Sequence, residues 1–162
     1  MKTNKHVIWD FVSKNQKRFQ ELADKVWSTP ETCYSEQNSM SAHVDELIYH
    51  GFSVTKGIAN IPTAVVGEYG TDGPIIAFLG EYDALAGLSQ KADVFHQDPV
   101  KKGENGHGCG HNLLGSASMQ AAVALKEWLK NSNLPGVVRY YGCPAEEGGA
   151  AKTFMVRDKI FK

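Results

Sequence analysis

The chain has 162 residues, 42% apolar and 22% charged, and a net charge of −1. That is ordinary for a soluble protein with one packed core. The near-neutral balance, with Lys101-Lys102 as the longest basic run, excludes the electrostatic footprint of a nucleic-acid or anionic-membrane binder. No stretch approaches the roughly 20 apolar residues needed to cross a bilayer. The basic N-terminus, Met1 to His6, is followed by no secretory apolar segment, and Cys33, Cys109 and Cys143 have no disulfide-framework spacing. A cytoplasmic protein is expected, because a reducing compartment suits such an odd set.

From His6 to Trp27, Phe11, Phe19, Leu22 and Val26 recur at helical spacing, so a helix is predicted there. Thr29-Pro30 interrupts it, since the residue before proline is pushed out of the α region. A second helix is expected from about Ser35 to His50, with Met40, Val44, Leu47 and Ile48 as its buried stripe. Gly51 is placed for its left-handed terminus, with Phe52 making the accompanying apolar contact. His43 and His50 on this helix read as surface or helix-end residues rather than metal ligands.

Strands are expected at 52–55, 62–69, 74–80 and 136–142. Gly70 to Gly73 has turn chemistry, so the second and third of these read as a hairpin. Ile75 to Leu79 is a continuous apolar run, as in a strand buried on both faces. Ala86 to Gly106 forms a long polar connection, and a loop of that length is usually functional or mobile. His96 within it reads as a solvated loop residue. A helix follows from Leu113 to Lys130, with Asn112 as its predicted N-cap. The expected fold class is therefore α/β, a mixed sheet with flanking helices.

The chemistry concentrates in two segments. In Asn105 to Asn112, His107, Cys109 and His111 alternate with glycine, and thiolate and imidazole are the donors that Zn²⁺-like ions prefer. Downstream lies Pro144-Ala145-Glu146-Glu147-Gly148-Gly149. The order strand 74–80, helix 113–130, strand 136–142 is a βαβ unit, which makes the two strands parallel. Their carboxyl ends then share one sheet edge, where open α/β proteins bind ligands. Asp83 follows the first strand, Glu146 and Glu147 follow the second, and Cys109 and His111 precede the helix that starts at that edge. In an extended Glu-Glu pair the side chains point oppositely, so one can bind metal while the other acts as general base toward a water. The pair also suits a solvated helix start. Cys109 as thiolate would gain from the following helix N-terminus.

Other chemistries fit less well. A Cys109 nucleophile activated by His107 or His111 lacks attack geometry and an oxyanion hole. A structural zinc knuckle wants C-x-x-C-like spacing, which is absent. Gly148-Gly149 lacks the lysine and hydroxyl residue of a phosphate loop. Cys33 and Cys143 read as small apolar core residues.

With both segments in view, the chain resembles the amidohydrolase branch of the aminoacylase/carboxypeptidase-type metallopeptidases. The matching stretches are Gly80 to Gln90, Gly103 to Gly115, Tyr140 to Gly149 and Lys152 to Arg157. The resemblance implies a two-metal hydrolase, with Zn²⁺ or Mn²⁺, of amide bonds in small N-acyl amino acids such as p-aminobenzoyl-glutamate. It implies Cys109 as bridging metal ligand, His111 and Glu147 as further ligands, Glu146 as general base, and Asp83 as a carboxylate orienting a ligand. Glu81 stands where other branches carry a histidine ligand, and Asn112 stands where the amidohydrolase branch itself commonly has an aspartate. Glu81, His107 and Asn112 are left without an assigned role. The resemblance also implies that 1–162 is the N-terminal portion of a zinc-peptidase-like catalytic domain, with later strands, ligands and a dimerisation domain beyond it. The expectation is a chain inactive alone: a truncated reading frame, an expressed fragment, or one half completed by another polypeptide, with missing or exposed segments open to a homo- or hetero-oligomer. The alternative is a non-catalytic remnant or assembly partner that binds metal weakly.

Overall fold

The computed structural model describes residues 4–162, so Met1 to Thr3 of the basic N-terminus lie outside the described residues. Helix α1 (Asn4–Trp27) stops just before Thr29-Pro30, as the sequence requires. Helix α2 (Gln37–Tyr49) ends as expected, with Gly51 at φ +77°. Gly51 N–H donates to Ile48 O at 2.9 Å and Phe52 N–H to Leu47 O at 3.0 Å, which satisfies two otherwise orphaned carbonyls.

The sheet has strand order β1-β2-β4-β3, from β1 (Ser53–Lys56), β2 (Val65–Tyr69), β3 (Ile75–Gly80) and β4 (Val137–Gly142). Helix α3 (His111–Ser132) is the crossover between β3 and β4, which pair in parallel from Ile75↔Val137 to Gly80↔Gly142. This is the βαβ unit read from the sequence. The hairpin is not formed. Strand β4 inserts between β2 and β3, pairing antiparallel with β2, whose other neighbour is β1. The turn at Gly70 to Gly73 carries the chain past the start of β4. Both glycines take positive φ, and a Cβ on either would meet the Gly136 backbone.

Because β4 occupies the centre, β3 is an edge strand among the described residues. Ile75, Ile76 and Leu79 are exposed there rather than buried on both faces. No described helix is long and apolar enough to cross a membrane.

One apolar cluster gathers Phe19, Leu22, Leu47, Phe52, Met119, Val123, Val138 and Tyr140 between the helices and the sheet. Side chains such as Met119 and Val123, fully buried, each contribute about 1.5–3 kcal/mol. A second cluster joins Ile61, Tyr141, Cys143, Ala145, Ala151 and Met155, with Cys33 packed against it. Cys143 thus fills apolar space, and burial pushes its thiol up to about 12.

Two helix readings change. His43 is not at the surface: it is fully buried, with Nδ1 2.8 Å from the Tyr140 hydroxyl. It lies three residues after Met40 and four before Leu47, on the inward face, whereas Ile48 is exposed. Burial holds its pKa down to about 3, so the ring is neutral. His50 does end the helix, bonded to Glu46 at 2.8 Å. Asn112 is not an N-cap: Gly110 holds that position and α3 begins at His111. Asn112 instead donates to Ala23 O of α1, followed one and two turns later by Ser116 to Phe19 O and Gln120 to Val12 O. These bonds seat α3 along α1.

Gly115 brings α3 against the end of β3, where an added Cβ would strike the Glu81 carbonyl and stand 2.8 Å from His43 Cε1. Gly115→Ala is expected to cost about 1–3 kcal/mol of unfolding free energy. Urea or thermal unfolding reads this, and a neutral effect would mean the helix is not seated there.

Candidate metal centre

Three segments leave the same sheet edge. Glu81 and Asp83 follow β3, Cys109 and His111 open α3, and Glu146 and Glu147 lie in a one-turn helix, α4 (Glu146–Gly149), after β4. The turn starts from Ala145 at φ +53°, and Glu147 itself has ψ 77°. The Glu-Glu pair is therefore not extended, and the alternation expected of a strand does not apply. Both carboxylates approach the same ring nitrogen: Glu146 Oε2 lies 3.8 Å and Glu147 Oε1 3.9 Å from His111 Nε2.

His111 is buried, and Asp83 fixes it from behind. Asp83 Oδ1 lies 2.9 Å from His111 Nδ1, while Asp83 Oδ2 accepts the Glu147 N–H at 2.8 Å. With Nδ1 committed, Nε2 faces the rim. Glu81 Oε2 sits 3.2 Å from it, and the other Glu81 oxygen accepts from Lys152 of α5 (Ala151–Arg157). Donor atoms of Cys109, His111 and Glu147 all lie within 4.8 Å of one another, as do those of Glu81, His111 and Glu146. The five site residues singled out from the sequence thus meet at one rim.

Two further residues belong to it. Glu81, which the sequence left without a role, stands two positions before Asp83 where the strand ends, and that spacing was the available signal. Lys152 carries no such signal, because only packing of α5 beneath the rim brings it to Glu81. His107 turns away: its Nε2 lies 3.1 Å from Val26 O and its buried Nδ1 has no hydrogen-bond partner. His96 is exposed in the long loop.

The electrostatics follow from crowding acids around one ring. The Asp83 hydrogen bond raises His111 above its usual pKa, against the opposing effect of burial. Burial would raise Asp83, but the His111 hydrogen bond and the Glu147 N–H outweigh it, and its carboxyl falls below the ordinary value. Cys109 behaves unlike the helix-stabilised thiolate expected from the sequence. Its hydrogen bond to Glu147 comes first, and together with burial and the charges of Glu147, Glu146 and Glu81 raises the thiol.

A depressed carboxyl contributes stability above its unfolded pKa and loses it as pH falls through the folded value. A raised imidazole contributes below its unfolded pKa and loses it as pH rises through the folded value. In the metal-free protein the Asp83–His111 pair therefore contributes most between about pH 4 and 6.5. The stability deficit of Asp83→Asn is expected to be largest in that window, and a deficit flat with pH would contradict the assignment.

No family model matches the chain. It is 49% identical over 154 residues to a p-aminobenzoyl-glutamate hydrolase subunit of Escherichia coli (strain K12), covering 95% of this chain and 32% of that protein. It is 28% identical over 171 residues to the Xaa-Arg dipeptidase of Homo sapiens, covering 93% of this chain and 34% of that protein. The chain thus spans about a third of the length of these relatives. A Bacillus subtilis protein described as a dinuclear metal binding peptidase from the M20 family shares its fold at TM-score 0.69 and 22% identity, over 91% of this chain and 41% of that one. The aminobenzoyl-glutamate utilization protein from Klebsiella pneumoniae does so at 0.65 and 16%, over 94% and 43%. At those identities the likeness establishes the fold, and the match to the Escherichia coli sequence carries the lineage. The chain belongs to the amidohydrolase branch of the aminoacylase/carboxypeptidase-type metallopeptidases.

Proposed function

We propose that residues 1–162 form the N-terminal portion of the catalytic domain of a metal-dependent amidohydrolase. Its substrate class is an N-acyl amino acid resembling p-aminobenzoyl-glutamate. The observation that carries this reading is the committed Nδ1 of His111, which leaves Nε2 aimed at a thiol and three carboxylates. Such a donor set suits a divalent cation: its acids are in excess, and among the described residues Lys152 is their one lysine contact. A cation there would take the place of the second ring proton of His111. The Escherichia coli relative supports the substrate class.

In this reading Cys109, His111 and Glu147 hold an ion, and Glu81 and Glu146 extend the donor set toward a second. When bound, such ions polarise the scissile carbonyl and offset the charge that develops on its oxygen. Zn²⁺ suits the nitrogen and sulfur donors, and the carboxylates also accept Mn²⁺. Asp83 keeps the ring and the Glu147 backbone in register. Glu146, the more exposed of the acidic pair, accepts the proton of the attacking water as its oxygen bonds to the amide carbon. It then delivers that proton to the nitrogen as the C–N bond breaks. That the Escherichia coli relative is one subunit of its hydrolase supports assembly with another polypeptide.

A second reading, a metal-binding assembly partner without catalysis of its own, has one observation in its favour. The two donor groups share the single free ring nitrogen of His111. Mixing the chain with a polypeptide carrying the remaining segments of the relatives separates the two readings. Restored release of p-aminobenzoate supports the enzyme, and none supports the assembly partner.

Metal analysis is expected to find an ion that His111→Ala abolishes. Cys109→Ser should weaken it by more than the roughly 10–100-fold lost when an outer partner of a ligand is removed. Unchanged stoichiometry in both variants would remove the site. In the reconstituted enzyme Glu146→Gln is expected to lower kcat by about 10²–10⁴-fold while metal is retained. A kcat within error of wild type would take the proton-transfer role from Glu146.

A further inference from the structure

The acidic turn sits in a backbone conformation that alanine does not favour, and something must hold it there. Ala145 is fully buried at φ +53°. In that left-handed region the Cβ crowds the following carbonyl. Its N–H points inward and donates at 2.8 Å to Glu36 Oε1. The same oxygen accepts the Tyr34 N–H at 2.9 Å, and Tyr34 is also left-handed, at φ +64°. Glu36 immediately precedes α2 and is itself fully buried. Its other oxygen, Oε2, takes no part in this hold: both the Ala145 and the Tyr34 amides are bonded through Oε1.

The far end of the turn is gripped by the same segment. The Tyr34 hydroxyl donates to Gly149 O at 2.6 Å. A Cβ added at Gly149 would stand 2.6 Å from the Ala145 Cβ and 2.8 Å from Tyr34 Cε2, so the ring lies directly on the turn. Residues 34–36 thus hold 145–149 at its first and last residues, and Glu146 and Glu147 lie between the two holds.

We infer that Glu36, with Tyr34, is the positioning device that sets Glu146 and Glu147 on the rim. This deepens the proposed reading and rests on it for the meaning of the two carboxylates. Without Glu36 the Ala145 N–H is buried and unpaired, so the turn relaxes toward an ordinary backbone region and carries both acids off His111. Because both amides of the hold are bonded by one oxygen, glutamine should serve in place of Glu36. Because the strain lies in a Cβ, glycine at 145 should tolerate the loss of the hold.

The test has a metal-free arm and a metal arm. In metal-free protein, amide exchange at Ala145 and Glu147 is measured by NMR. Co²⁺ affinity and the absorption spectrum of the Co²⁺-loaded chain are measured in parallel, with thermal melting as the fold control. Glu36→Ala should speed exchange at both amides and weaken Co²⁺ binding by about tenfold or more. Glu36→Gln should behave close to wild type, and Ala145→Gly added to Glu36→Ala should recover part of the loss. Tyr34→Phe, at a half-exposed ring, should melt as wild type yet weaken Co²⁺ binding and alter the spectrum.

Wild-type exchange and affinity in Glu36→Ala would overturn the inference. If that variant does not fold, Tyr34→Phe decides: unchanged exchange, affinity and spectrum overturn the inference, and a changed set with normal melting supports it. If wild type itself binds no Co²⁺, the metal reading has failed. The exchange arm then still decides whether Glu36 holds the turn.

Discussion

One buried carboxylate ties the functional edge together. Asp83 leaves β3 and binds the ring of His111 with one oxygen and the backbone of Glu147 with the other. It therefore joins three segments that the chain visits far apart: the end of a strand, the start of a helix and the turn after a second strand. Burying an ionised acid is costly unless its lone pairs are used. Here they are, and the carboxyl is held below its ordinary pKa despite burial. The same bonds decide which ring nitrogen of His111 faces outward. The direction of the candidate centre is thus set behind it, inside the fold.

Around that tie the fold crowds like charges. Glu81, Glu146 and Glu147 converge on one imidazole. The Asp83 hydrogen bond, helped by the charges of Asp83, Glu81 and Glu147, raises the ring, and the Glu147 hydrogen bond with the neighbouring acids raises the Cys109 thiol. Glu81 finds partial relief in Lys152. Such a cluster is poor engineering for stability alone, because unscreened acids repel. A divalent cation, as in the proposed function, would offset that repulsion. The supports are correspondingly stiff: α3 is seated on α1 by three polar side chains, and the acidic turn is clasped by residues 34–36.

Where local pattern and fold disagreed, a longer-range contact had prevailed. A Gly-rich turn between two apolar strands is ordinarily a hairpin, yet β4 enters between β2 and β3 because the parallel crossover through α3 delivers it there. That insertion moves β3 to the edge and exposes Ile75, Ile76 and Leu79. His43 looked like a surface residue by type, but its helical position put it inside against Tyr140. Asn112 looked like a cap by type, but Gly110 already supplied the left-handed entry to α3, leaving Asn112 to bridge to α1.

Periodicity along the chain was enough to establish the three long helices, the four strands and the βαβ order. It also brought Asp83, Cys109, His111, Glu146 and Glu147 to a common edge, because parallel strands joined by a helix must end together. These are consequences of neighbours in sequence and of chirality, which a one-dimensional pattern carries. Which strand lies at the centre, which nitrogen of His111 faces outward, that Lys152 reaches Glu81 and that Glu36 bonds the Ala145 backbone were decided only in three dimensions. Each depends on contacts between segments distant in the chain, and no local spacing encodes the packing that brings them together.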